Sequence, residues 1–180
     1  VNKNKKVSNG NYLWIQYFYS YLNDTGRAGF VMSSQASSAG RDEAKVREQL
    51  VKTGDVDIMI DIRSNFFYTR TVPCQLWFLN KNKPAHLKDK VLMLDARNVY
   101  RKVTRKIYDF SPEQQQNLTA VVWLYRGEGE RFIELVQQYI DKAIFEACYC
   151  EFSEELMCNP VPDFVEQLDK LSNAFKPFME

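Results

Sequence analysis

The segment from Arg27 to Ile62 constrains the fold more than any other part of this sequence. "RAGFVMSS" is a short apolar run bounded by Gly26 and by Ser33-Ser34. "RDEAKVREQLVK" follows at 41–52, with Ala44, Val46, Leu50 and Val51 recurring at helical spacing among charged neighbours, and Thr53-Gly54 ends it. "VDIMIDI" at 56–62 is a second apolar run. A helix bracketed by two such runs predicts a βαβ crossover, because parallel strands need a connection long enough to return across the sheet. The runs are continuous rather than alternating, which predicts strands covered on both faces.

The flanking segments extend this layer. "YLWIQYFYSYL" at 12–22 predicts a mostly buried helix capped by Asn9 or Asn11. "VPCQLWFLN" and "VLMLDA" (91–96) predict a third and a fourth strand. The polar "KNKPAHLKDK" between them has no helical pattern, so the two are expected to pair as an antiparallel hairpin at one edge of the sheet, beside the crevice where α/β proteins bind ligands. From about Asp109 helices take over, with Ser111 as N-cap, Pro112 at the first helical position and Glu113 in the first turn. "FIELVQQYIDKAIFEA" and "DFVEQLDKLSNAF" both carry apolar stripes wide enough to pack and still offer an edge to another chain. The expected architecture is α/β, a sheet over residues 1–108 that ends in an antiparallel hairpin, followed by a helical tail over 109–180.

Charge and cysteine usage narrow the chemistry. Lys and Arg number 24 against 23 Asp and Glu, so there is no global electrostatic case for nucleic acid and any DNA contact has to be local. No window approaches the roughly 18 uninterrupted apolar residues of a membrane span, and the basic N-terminus "VNKNKKVSNG" lacks the apolar region of an export signal. Cys74, Cys148, Cys150 and Cys158 do not have zinc-ribbon spacing, and the single histidine, His86, lies far from the last three; they read as reduced thiols of a cytoplasmic protein. Asp57 and Asp61 share parity on one strand but have no further acidic partner in view, so no metal site is expected. "GEG" at 127–129 lacks the rest of a nucleotide loop and reads as an interhelical turn.

Two features remain as candidate contacts. Phe66, Phe67 and Tyr68 stand together just ahead of the third strand, at the rim where ligands bind. Rings held there either cover the edge of the sheet or stack on a flat heterocycle such as a base taken out of its helix. "RKVTRK" contributes Arg101, Lys102, Arg105 and Lys106, ordinarily a solvated face but able to meet backbone phosphate.

The order of "GNYLWIQYFYSYLNDTGRAGFVM", "VREQLVKTGDVDIMIDI", "SNFFYTRTVPCQLWFLNK", "VLMLDARNVYRKVTRK" and "DFSPEQ" resembles the modification (methyltransferase) subunit of bacterial type I restriction-modification systems, over roughly residues 8 to 130. The resemblance implies a Rossmann-like methyltransferase sheet and S-adenosylmethionine-dependent methylation of adenine N6 in double-stranded DNA. It also implies work with a specificity subunit that reads the sequence and a restriction subunit that cleaves. By the same resemblance, the segment matching "NFFYT" faces the flipped adenine, which favours the stacking role for Phe66, Phe67 and Tyr68. The family's Asn-Pro-Pro-Phe tetrapeptide and its glycine-rich cofactor loop are absent, and both are expected upstream of Val1. The chain is accordingly expected to be the carboxy-terminal part of the methyltransferase domain with its helical tail, inactive by itself. The rival reading is a non-catalytic interaction module of a DNA-processing complex. A restriction-type nuclease would need a lysine beside paired acids, which "VDIMIDI" does not offer.

Overall fold

The computed structural model describes residues 10–67, 71–149 and 161–178, in two compact units, Val1–Gln114 and Gln115–Glu180. In the first, α1 (Gly10–Ser20), β1 (Arg27–Ser33), the single turn α2 (Gln35–Ser38), α3 (Arg41–Lys52), β2 (Val56–Ile62), β3 (Cys74–Asn80) and β4 (Leu92–Asp95) follow one another. A short ribbon of β5 (Arg101–Lys102) and β6 (Tyr108–Asp109) ends it. The predicted bounds of α3 and β2 agree with the structure residue for residue. Gly54, at φ +78°, supplies the left-handed turn that releases the chain from α3 into β2, and a Cβ there would come within 2.9 Å of the Lys88 carbonyl oxygen.

The four strands lie in the order β1-β3-β2-β4. β1 and β2 are each antiparallel to β3, hence parallel to one another, with β3 inserted between them. β4 pairs in parallel with β2 on its other side. The sheet is therefore mixed, and the expected antiparallel hairpin of the third and fourth strands does not form. β3 is buried along nearly its whole length, with β1 and β2 taking both of its edges and leaving none for β4. The linker also swings across the amino end of β2. Leu87 is buried, and the Lys83 ammonium donates to the carbonyls of Val56 at 2.8 Å and Lys90 at 2.5 Å, so the chain re-enters the sheet beyond β2.

Register sorts the side chains into faces. Met32, Met59, Trp77 and Leu79 point into one core with Tyr12 and Ile15 of α1 and Leu50 of α3. Arg47 of α3 donates to the Tyr12 hydroxyl and to the carbonyls of Ala36 and Ala39, tying α1, α2 and α3 together. Two expectations of burial are corrected. β1 is an edge strand with alternating exposure, because only its Ala28, Phe30 and Met32 side faces that core. α1 buries Tyr12 and Ile15 alone, while Trp14 is 58% and Tyr21 84% exposed; a helix lying on one sheet covers one stripe of its surface. Asn11 lies inside α1, and Asn9 falls outside the described residues.

α4 (Pro112–Arg126) opens as expected: the Gln114 amide donates to Ser111 Oγ, and Gln114 Oε1 accepts from the Ser111 amide, a reciprocal capping box. In the second unit, Gly127 at φ +80° turns the chain from α4 into α5 (Gly129–Tyr149), and α5 packs against α6 (Val161–Phe175). Leu171 of α6 and the following Phe178 are exposed. Among the described residues no helix is long and apolar enough to cross a membrane.

Candidate functional site

Because β2 and β4 run in parallel, their carboxyl ends open on the same rim, where neighbouring strands leave backbone and loop groups free to meet a ligand. β2 ends at Ile62 and Arg63 follows at once. Asn65, with φ +64°, then reverses the chain; asparagine is among the few residues that occupy this region readily. Its carbonyl accepts the Tyr108 amide at 3.1 Å, and the Phe66 ring lies 4.5 Å from that of Phe110. These contacts dock the β5–β6 ribbon beside the loop.

The three aromatic candidates thereby separate. Phe66 is partly buried, with one side taken by Phe110. Phe67 is 36% exposed. Tyr68 lies outside the described residues.

The basic candidates separate as well. Arg101 forms a bidentate pair with Asp109 across the ribbon, at 2.9 and 2.7 Å. The pair holds the Asp109 carboxyl below its ordinary range and raises the guanidinium. Its charge is thus largely matched inside the protein, because the ribbon register sets Arg101 directly opposite Asp109. Lys102, Arg105 and Lys106 are exposed along the ribbon and its turn, which is closed by the Val103 and Thr104 amides donating to the Ile107 carbonyl.

The acidic groups of β2 have structural partners. Asp61 accepts from Gln75 Nε2 at 2.6 Å; the same nitrogen donates to Ser37 Oγ, and Gln75 Oε1 accepts from the Trp77 indole. Asp57 is buried beside the register irregularity between Val56 and Ile58. At the end of β4, Asp95 accepts a fork from Arg97 at 2.8 and 2.6 Å, which pulls its carboxyl down to about 2. Among the described residues no group of three or more His, Cys, Asp and Glu is gathered as a metal ion would need. Burial pushes the Cys74 thiol up, away from thiolate reactivity. His86 is exposed in a single 3-10 turn; Cys150 and Cys158 lie outside the described residues.

Sequence reasoning missed one member of this rim. The Arg63 guanidinium sits in the corner made by Tyr100 and Tyr108, 3.9 and 4.0 Å from the two ring centroids, and the rings meet edge to face at 89°. The signal was present, since the tyrosines flank "RKVTRKI", but strands of two residues are too short to show a period.

Comparison with known proteins agrees with this architecture. Residues 2–145 match the family described as N-6 DNA Methylase. The type I restriction enzyme MjaVIII methylase subunit of Methanocaldococcus jannaschii is 31% identical over 180 residues, 97% of this chain and 30% of the relative. The MjaIX methylase subunit of the same organism is 37% identical over 108 residues, 57% of this chain and 19% of the relative. The HindI methylase subunit of Haemophilus influenzae is 27% identical over 106 residues, 58% of this chain and 24% of the relative. The chain thus spans between about a fifth and a third of the length of these curated relatives. The solved type I restriction-modification methyltransferase subunit of Streptococcus thermophilus shares the fold, with a TM-score of 0.56 at 21% identity over 63% of this chain and 24% of that one. On the extent of the family match, this chain belongs to the N-6 DNA methylase family.

Proposed function

We propose that this chain is the target-base side and the helical tail of a type I restriction-modification methylase subunit, which transfers a methyl group to adenine N6 in double-stranded DNA. The observation that carries the reading is the exposed Phe67 ring at the carboxyl rim, next to a ribbon that presents Lys102, Arg105 and Lys106. Adenine N6 is a poor nucleophile because its lone pair is delocalised into the ring, so the amino group has to be held where it can attack. A ring stacked on the extruded base fixes that orientation, and cations on the ribbon hold the strand from which the base was turned.

S-adenosylmethionine supplies the methyl group when bound. The residues of this chain do not fit it: the loop after β1 is occupied by α2 and carries Gly40 alone, with no glycine-rich turn and no Asn-Pro-Pro-Phe. The chain alone is therefore expected to be inactive. The partners of this reading are a specificity subunit, engaged by the α5–α6 tail with its exposed Leu171, and a restriction subunit for cleavage, all in the cytoplasm.

The test is Phe67→Ala in the full-length protein. Loss of one base stack, worth about 1–3 kcal/mol, lowers the adenine methylation rate by roughly fivefold to more than a hundredfold. The melting temperature stays close to that of the parent. Activity that falls only in step with stability would assign Phe67 to packing and remove the support for this reading.

A further inference from the structure

Arg63 is not accounted for by the stacking ring or the basic ribbon. It follows β2 directly and precedes the Phe66–Phe67 turn, so it stands on the same rim as both. Two tyrosine rings cover its guanidinium from two directions. Its Nε is buried and has no hydrogen-bond partner, and among the described residues neither terminal nitrogen of the fork is bonded. Its acidic neighbours on the rim are engaged elsewhere: Asp61 with Gln75, Asp95 with Arg97 and Asp109 with Arg101. What results is a permanent cation, held rigid by rings that cannot neutralise it, beside the place where the loop turns.

We propose that Arg63 is a DNA-backbone contact whose fork takes the phosphate of a nucleotide flanking the extruded base. The inference rests on the reading of the chain as part of a DNA methylase. A planar guanidinium matches two phosphate oxygens at once, and the Tyr100–Tyr108 corner removes the rotamer freedom that a solvent-exposed arginine would lose on binding. Bonding to Asn65 and packing on Phe110 place the same ribbon against the loop, so the fork, the Phe67 ring and the lysines of the ribbon keep a common geometry. The open part of the fork is all donor, which matches the oxygens of a phosphate.

The experiment is fluorescence anisotropy of a labelled duplex with the full-length protein and its specificity subunit, over a series of salt concentrations. Arg63→Gln removes the charge while leaving a planar amide for the tyrosines. It is expected to weaken binding roughly tenfold and to reduce the slope of log affinity against log salt by about 0.9, the signature of one lost phosphate. Arg63→Lys keeps the charge without the fork, and is expected to retain the slope while binding several-fold more weakly than the parent. An unchanged slope in Arg63→Gln, at whatever affinity, makes Arg63 a clamp for the ribbon only and overturns the proposal. Should Arg63→Gln fail to fold, Arg63→Lys decides it, since affinity equal to the parent's would show that the fork touches nothing. Absence of duplex binding by the parent protein would sink the methylase reading and this inference together, an outcome distinct from parent binding with unaltered variants.

Discussion

Replacing Lys83 with methionine tests why the chain leaves β3 and rejoins the sheet on the far side of β2. The residue is 4% exposed, and its ammonium bridges the first carbonyl of β2 to the Lys90 carbonyl just ahead of β4. Methionine keeps the apolar stem and removes the donors. Removing the donor to the buried Val56 carbonyl costs about 1–3 kcal/mol, offset in part by the recovered cost of keeping an ammonium away from water. The net destabilisation expected is about 1–2 kcal/mol, a noticeable fraction of the roughly 5–15 kcal/mol that holds a domain together. Urea unfolding followed by tryptophan fluorescence measures it through Trp77, which is fully buried in the core. Hydrogen exchange should also quicken at the Ala96 amide, which donates to Asp61 across the β2–β4 edge.

The pH dependence supplies a sign. Burial lowers the Lys83 pKa from 10.5, against the opposing pull of Asp57, Asp55 and Asp89. Between the lowered folded value and the ordinary one, the unfolded chain binds more protons than the folded one, so wild-type stability rises with pH in that alkaline window. Methionine cannot titrate, and the gap between the two proteins should widen there. A variant as stable as the parent would refute the claim that these bonds outweigh the dehydration of the ammonium, and a gap that narrows with rising pH would refute the lowered Lys83 pKa.

Gly54→Ala places a Cβ at φ +78° and within 2.9 Å of a backbone oxygen, so a loss of about 2–3 kcal/mol is expected in thermal or urea unfolding, from the left-handed backbone and the displaced carbonyl together. At Asp95 the Arg97 fork holds the carboxyl at about 2 against an ordinary 3.8; the stability it contributes is fully present above 3.8 and is lost as pH falls through about 2. Arg97→Gln should return that carboxyl toward 3.8 in a carbon-detected NMR titration, and a carboxyl that stays low would remove Arg97 as the cause. Truncation after Pro162 removes the exposed Leu171 and is expected to abolish co-purification with a specificity subunit while the first unit stays folded; undiminished capture would show that α6 only completes its own unit.

What the sequence by itself determined about this protein is local. The amphipathic period of 41–52, the turn at Gly54, the apolar run of 56–62 and the N-cap Ser111 all act within a few residues, and the structure realises each where the pattern sets it. The family resemblance worked for a related reason, since it reads the order of such segments along the chain. Strand order is a different kind of fact. Nothing within "VPCQLWFLN" says that β3 enters between two strands already passed; that depends on whether a strand buried on both faces can find partners on both edges. The same holds for exposure. The apolar residues at 12–21 look alike in sequence, yet the core takes Tyr12 and Ile15 and leaves Trp14 and Tyr21 in water. Only the tertiary structure pairs Arg101 with Asp109 and leaves Lys102, Arg105 and Lys106 outward on the same ribbon. It also brings Arg63 to tyrosines well over thirty residues away, because a cation settles over rings by distance in space, and separation along the chain carries no trace of it.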